Sequence, residues 1–330
     1  MDKKEHSGIR NCINCGEDNS ELMFAFTKKW LMEVRDTPTE RLDELNIDEN
    51  FSSSIVKCKN CGCGYIKDVL ESRKKNSDWS KDVVRESVDS YQKLFSRKSV
   101  NHLQYEYSLI QNLLDLVLKK KKDKSELSLL DYGSSLSILT PMSRVMGFSK
   151  VMAYDPLHPN NISEIAPQNT AINYQFVNNL EEVKAKAPFD AIICQSADEH
   201  FYDLKGEIKN IYDLLSDDGV VYFSHPIMDL DADISHLRNE ANVEDEKTLS
   251  RLRATFHIHH LNYVMPKMFK GMLKSAGFKL IKGIKLKQRV VGVNFLNFSN
   301  LKLFFKSLAK YFLGLLGSNY KKTEFFLTKA

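Results

Sequence analysis

Between residues 127 and 223, short apolar runs alternate with stretches of helical periodicity, and this alternation limits the fold more than any other feature of the chain. The runs are Leu127 to Tyr132, Val151 to Tyr154, Ala171 to Val177, Ala191 to Cys194 and Val220 to Phe223. Runs that stay apolar throughout suit strands buried on both faces, and strands separated by helices pair in parallel through crossovers. The sequence therefore predicts an α/β fold with a doubly wound sheet, closed by a last strand over Glu324 to Thr328. Upstream, Leu103, Tyr107, Ile110, Leu113, Leu114 and Val117 recur at three- and four-residue spacings, which predicts an amphipathic helix ending in Lys119 to Lys122 and packed on that domain.

Ligands of doubly wound sheets bind beyond the carboxyl ends of the strands. The first run leads into Asp131-Tyr132-Gly133-Ser134-Ser135-Leu136-Ser137, whose small residues keep side chains out of a tight turn and let a ligand approach the backbone. The second run ends at Asp155, about twenty residues on, where a carboxylate can accept hydrogen bonds from both hydroxyls of a ribose. A nicotinamide site would want three glycines in the first turn, and only Gly133 is present.

Five of six cysteines precede residue 64. Cys12 with Cys15, and Cys58 with Cys61, form two C-x-x-C units, each followed by glycine, Gly16 and Gly62. The two-residue spacer lets both thiolates reach one ion, and the glycine lets the backbone turn its N–H groups toward the sulfurs. Four thiolates make a closed tetrahedral set, the pattern of a structural Zn2+. Met1 to Cys12 contain no apolar stretch, so no secretory signal is expected and a cytoplasmic, reducing setting favours metal over disulfides. Cys63 and Cys194 receive no role.

Phe189 to Cys194, Asp198-Glu199-His200-Phe201, the turn Leu214 to Gly219 leading into Val220 to Pro226, and His257 to Phe278 resemble the fourth strand, Glu-His helix start, fifth strand and closing helix of class I methyltransferases that use S-adenosyl-L-methionine (SAM). The likeness spans about residues 127 to 280 and implies a Rossmann-like seven-stranded sheet behind a small N-terminal zinc-binding module. It also implies SAM as cofactor, with Asp131 and Gly133 bordering its methionine end and Asp155 its ribose. Ser135 stands where the family has a glycine, and Asn178 or Asn179 where it has an acidic residue after strand three. Gln195 and Ser196 would form the rim beside the transferred methyl. The cysteine pairs ahead of such a domain resemble the zinc ribbon of the sugar C-methyltransferase group, which implies a nucleotide-linked sugar or glycan precursor as acceptor. The group's long C-terminal domain has no counterpart after Phe278, which leaves carbon, oxygen and nitrogen open as the methylated atom. Ser135 and Ser137 in place of glycines suggest a second reading, a non-catalytic scaffold in a biosynthetic complex.

A nucleophile that carries a proton needs a base, and histidine suits neutral pH. His225, directly after the fifth run, is the first choice, with His200 and His260 next and His257 and His259 also in range. The expected boundaries are 1–70 for the zinc ribbon, 71–124 for a helical connection and 125–330 for the methyltransferase domain. With 47 basic against 43 acidic residues the net charge is +4, so no nucleic-acid partner is expected. Leu301, Phe304, Phe305, Leu308, Tyr311, Phe312 and Leu315 form a helical stripe that suits packing against protein better than contact with a membrane.

Overall fold

The computed structural model describes residues 8–33, 39–44, 47–69, 100–120, 126–135, 137–156, 174–226, 230–238, 256, 260–281 and 322–330. In chain order the elements are β1 (Gly8–Ile9), β2 (Ser20–Thr27), α1 (Lys28–Glu33), α2 (Thr39–Glu44), β3 (Ser52–Cys58), β4 (Gly64–Ile66), β5 (Asp68–Val69), α3 (Val100–Lys120), β6 (Ser128–Tyr132), α4 (Leu139–Val145), β7 (Lys150–Tyr154) and β8 (Gln175–Val177). They continue with α5 (Leu180–Lys184), β9 (Phe189–Gln195), α6 (Leu204–Leu214), β10 (Leu215–Pro226), α7 (Leu230–Arg238), β11 (Asn262–Tyr263), α8 (Pro266–Ser275), β12 (Phe278–Leu280) and β13 (Lys322–Lys329). Each apolar run of the alternation contributes residues to a strand, the run from Ala171 through its described part Gln175–Val177, and the final predicted strand is β13. Residues 71–99, the stripe from Leu301 to Leu315, His257 and His259 lie outside the described residues. No helix of the described residues is long and apolar enough to cross a membrane.

The chain divides into two compact units, and the division does not follow the sequential boundaries expected above. One unit takes Met1–Asp78, Ser196–Lys209 and His225–Ala276; the other takes Trp79–Gln195, Asn210–Ser224 and Gly277–Ala330. The reason is strand pairing. β11 joins β4 in the sheet β11-β4-β3-β2, with Asn262 opposite Tyr65 and Tyr263 opposite Gly64, so the segment that follows the fifth parallel strand belongs with the cysteine-bearing N-terminus. Phe26, Ile55, Ile66, Leu230, Ile234 and Tyr263 share one core there, each at most 5% exposed.

The second unit holds a mixed seven-stranded sheet, ordered β12-β13-β10-β9-β6-β7-β8. β10, β9, β6, β7 and β8 run parallel, and β12 pairs antiparallel with β13. Ser128 and Asp190 pin the register of the two central strands: Asp190 accepts from the Ser128 N–H at 2.8 Å, and the Asp190 N–H donates to Ser128 Oγ at 3.0 Å. In β10 the register shifts between Leu215 and Val220, and a Cβ on Gly219 would come within 2.7 Å of the Leu215 side chain, so a larger residue there would require that side chain to move. Helix α3 buries Leu109, Ile110, Leu113 and Val117 against Leu129, Ala191, Ile193 and Tyr222. Ile110, Leu113, Leu114 and Val117 of the predicted stripe are buried, and the departure is at its start. Tyr107 is 39% exposed, whereas Glu106 and Ser108 are buried.

Candidate functional site

In the parallel-sheet unit, three groups gather at the carboxyl ends of β6, β7 and β9. Asp131 ends the apolar part of β6 and is 2% exposed; Thr140 Oγ1 on α4 donates to its Oδ2 at 2.9 Å. Burial disfavours its charged form, and the nearby Asp155 adds to that, so its carboxyl is raised to about 7 despite the hydrogen bonds from Thr140 and Ser137. The following turn is held by backbone bonds: the N–H groups of Gly133 and Ser134 donate to Tyr154 O at 2.8 and 3.0 Å.

Gly133 at φ 72° and Ser135 at φ 46° both lie in the left-handed region. For serine this conformation costs about 1 kcal/mol. The Ser135 N–H donates to Asp155 Oδ2 at 2.9 Å, so the left-handed turn aims a backbone donor at the carboxylate that ends β7. Ser137, the other serine in a glycine position, accepts from the Leu139 N–H at 3.0 Å and so satisfies a first-turn donor of α4. Asn178 is half-buried after β8, and the neighbouring Asn179 caps α5 through the Glu181 N–H. Gln195 Nε2 donates to Glu106 Oε1 at 3.1 Å, while Gln195 Oε1 is buried with no hydrogen-bond partner among the described residues. A buried amide oxygen left without a donor calls for one from a ligand or water. Glu106 was not legible in the sequence, because a carboxylate on a strongly amphipathic helix reads as surface; its nearness to the apolar positions of α3 was the only signal.

The other unit holds the histidines. Asp198 and Glu199 sit on a tight turn, Asp198–His200, and both are buried. His225 is 2% exposed; its Nδ1 lies 2.5 Å from Asp198 Oδ2, its Nε2 donates to Val264 O at 2.7 Å, and its ring stacks on Phe269 with centroids 4.3 Å apart. Burial alone would lower its pKa, but the charge and hydrogen bond of Asp198, the Val264 carbonyl and Glu199 together raise it. With both nitrogens engaged, His225 has no nitrogen to offer a substrate in this arrangement, which corrects the expectation that it is the first-choice base. Its partner Asp198 was missed at the sequence level, since only the fold shows which of two adjacent carboxylates faces the ring. His200 and His260 are half-buried and meet edge to face, with ring centroids 4.9 Å apart.

The same unit carries the cysteines. The ligand atoms of Cys12, Cys15, Cys58 and Cys61 all lie within 4.8 Å of one another, with Cys12 to Cys61 and Cys15 to Cys58 both at 3.5 Å. Each turn is closed by its glycine, whose N–H reaches a carbonyl and not a sulfur. The Gly16 and Gly62 N–H groups return to the Cys12 and Cys58 carbonyls at 2.8 Å, and both glycines have left-handed φ, 82° and 77°. All six cysteines are free thiols. Cys63 stands outside the four-sulfur set; its thiol bonds to Cys12, the first of the causes that pull the Cys12 thiol down to about 4.

Three solved structures illustrate the similarity of the chain to known proteins. The plantazolicin methyltransferase in complex with SAH is 12% identical, covers 78% of this chain and 96% of its own, and has a TM-score of 0.46. The magnesium protoporphyrin IX methyltransferase of Synechocystis with bound SAH is 13% identical over 76% of this chain and 100% of its own, at 0.41. The 1,6-didemethyltoxoflavin-N1-methyltransferase of Burkholderia thailandensis, with S-adenosylhomocysteine and 1,6-didemethyltoxoflavin bound, is 14% identical over 86% and 97%, at 0.44. No curated protein sequence matches. The family described as "Methyltransferase domain" matches residues 100–282, more than half of the chain and all of the parallel strands. The chain thus belongs to the methyltransferase-domain family and is a methyltransferase.

Proposed function

We propose that the protein transfers the methyl group of SAM to a small-molecule acceptor, a nucleotide-linked sugar or glycan precursor, and that a structural Zn2+ holds its cysteine-bearing unit together. The observation that carries the donor half is the turn after β6, where the Ser135 N–H is fixed on Asp155 beside buried Asp131. The residues fit SAM in chemistry. Asp131 is a buried carboxyl that gains from a cationic amine, and Asp155 has lone pairs beyond the one given to Ser135 with which to accept ribose hydroxyls. Asn178 offers an amide to the adenine edge, and Gln195 Oε1 supplies an acceptor.

SAM supplies a methyl carbon on a sulfonium, which leaves as a neutral thioether once the acceptor takes the methyl. The protein's share is alignment: holding donor and acceptor within about 3 to 3.5 Å is the larger part of such catalysis. Gln195 and Ser196 form the rim beside the methyl, and the left-handed Ser196, at φ 52°, turns the chain sharply there. Where the acceptor carries a proton, His200 and His260 are the candidate bases, and His225 with Asp198 positions the turn that bears His200.

Zinc is supported by the fit of the four sulfurs. Bonds of about 2.3 Å in a tetrahedron put sulfurs about 3.8 Å apart, and the cluster brackets that spacing. The sugar acceptor rests on the pairing of this cysteine module with the methyltransferase domain. Incubation with methyl-labelled SAM and a panel of nucleotide-linked sugars tests it: label in the sugar supports the class, and turnover confined to peptide or heterocyclic acceptors sinks it.

A further inference from the structure

The turn that carries Asp198 brings a second set of side chains together. One ligand atom from each of Glu199, His200 and His260 lies within 4.8 Å of the other two. We propose that these three side chains hold a divalent first-row transition-metal ion, distinct from the one at the cysteines; with the ion bound, His200 and His260 act as ligands and not as bases. Two imidazole nitrogens and a carboxylate oxygen are a donor set that such ions accept, and one that leaves coordination positions open. Bonds of about 2.1 Å put neighbouring donors about 3 to 3.5 Å apart, so modest side-chain rotations bring the cluster onto an ion. Glu199 is 5% exposed, and both imidazoles are half-buried, so the carboxylate is anchored while the imidazole side admits a ligand. The four cysteines, by contrast, fill all positions of a tetrahedron.

The backbone under the three donors is pinned in advance. Asn262 Nδ2 donates to both ends of the turn, Asp198 O at 2.8 Å and Phe201 O at 2.7 Å. The Leu261 N–H, next to His260, donates to Glu199 O at 2.7 Å. Arg10 clamps the same corner: it donates to Asn262 Oδ1 at 3.0 Å, Leu261 O at 3.1 Å and Tyr202 O at 2.7 Å, and its pKa falls to about 10 under the burial. A metal site needs this kind of fixed geometry before the ion arrives. Asp198 and Glu199 also bury two carboxylates in successive positions of one turn, and Asp198 Oδ1 has no hydrogen-bond partner among the described residues. A cation at Glu199 adds positive charge where buried negative charge is costly.

The test titrates Co2+ into the full-length, zinc-loaded protein, read by visible absorption, with SAM titrated into the same sample. The expected result is a spectrum of nitrogen and oxygen ligation, without thiolate charge-transfer bands, saturating at about one equivalent. His260→Gln, and separately Glu199→Gln, weaken Co2+ at least about tenfold while the melting temperature stays near that of the parent. Should the buried Glu199→Gln variant fail to fold, His200→Gln at a half-buried position replaces it. Thiolate bands alone, no binding, or binding that the variants keep overturns the site. SAM binding without a Co2+ signal refutes the second metal only, whereas a folded sample that binds no SAM refutes the donor reading.

Discussion

The two units of the protein are built by opposite rules. The parallel-sheet unit is assembled mostly from neighbours in sequence, strand to helix to next strand, and its candidate donor residues sit at strand ends that periodicity reveals. Both units draw on three separated segments, but in the cysteine-bearing one the candidate chemistry depends on long-range pairing: β11 on β4, Arg10 on Asn262, His225 on Asp198. A fold legible from local pattern and a site legible only from topology therefore share one chain, and perturbations should tell them apart.

The largest effect is expected from Cys58→Ser. Losing one of four ligands removes most of the metal's folding free energy, about 3 kcal/mol or more, because a site of this kind forms with the fold rather than before it. Hydrogen exchange should show loss of protection in β2, β3, β4 and β11, with bound zinc falling from one per chain toward none. Unchanged protection in a zinc-free variant would mean that the apolar core around Phe26, Ile55 and Tyr263 suffices. His225→Gln comes next. It leaves the buried Asp198 without its imidazole, at a cost of about 3 kcal/mol, seen as a lower melting temperature. A base would behave otherwise: the fold would hold while one ionisation vanished from the pH profile of kcat/KM.

Asp131 gives the sheet unit its own signature. Its folded-state value of about 7 lies above the ordinary 3.8, so without ligand it stays protonated below about pH 7, and stability declines as pH rises from about 4 to about 7, by roughly 4 kcal/mol in all. A cationic amine favours the carboxylate, so SAM affinity should fall up to about tenfold per pH unit below 7 and level off above it. Asp131→Asn should flatten that dependence; a slope that survives the substitution assigns it to another group. The smallest effect is Ser135→Gly, which should relieve left-handed strain and raise stability by about 1 kcal/mol with SAM binding kept. Lower stability would show that the serine side chain holds the turn.

What the sequence disclosed follows the same divide. The five parallel strands, and the place of Asp155 just past one of them, were readable because burial within a sheet writes an apolar run. The gathering of the four cysteines was readable because two C-x-x-C units of equal spacing suit one common centre. The two-unit division was not, since nothing local in Asn262-Tyr263 announces a partner near Tyr65. Nor was the engagement of His225, because whether a histidine is open or locked depends on what lies across the fold, here Val264 and Asp198. Tyr107 and Glu106 traded places on α3 for a related reason: a buried carboxylate opposite Gln195 breaks the hydrophobic pattern that periodicity assumes.

Calorimetric titration of SAM and S-adenosylhomocysteine into the folded, zinc-loaded protein, beside Asp155→Ala, bears most directly on the donor site. Removing a carboxylate that accepts two ribose hydroxyls is expected to cost about 3 kcal/mol, so micromolar binding in the parent should weaken about a hundredfold in the variant. Equal affinity in parent and variant would contradict the placement of SAM at the ends of β6 and β7.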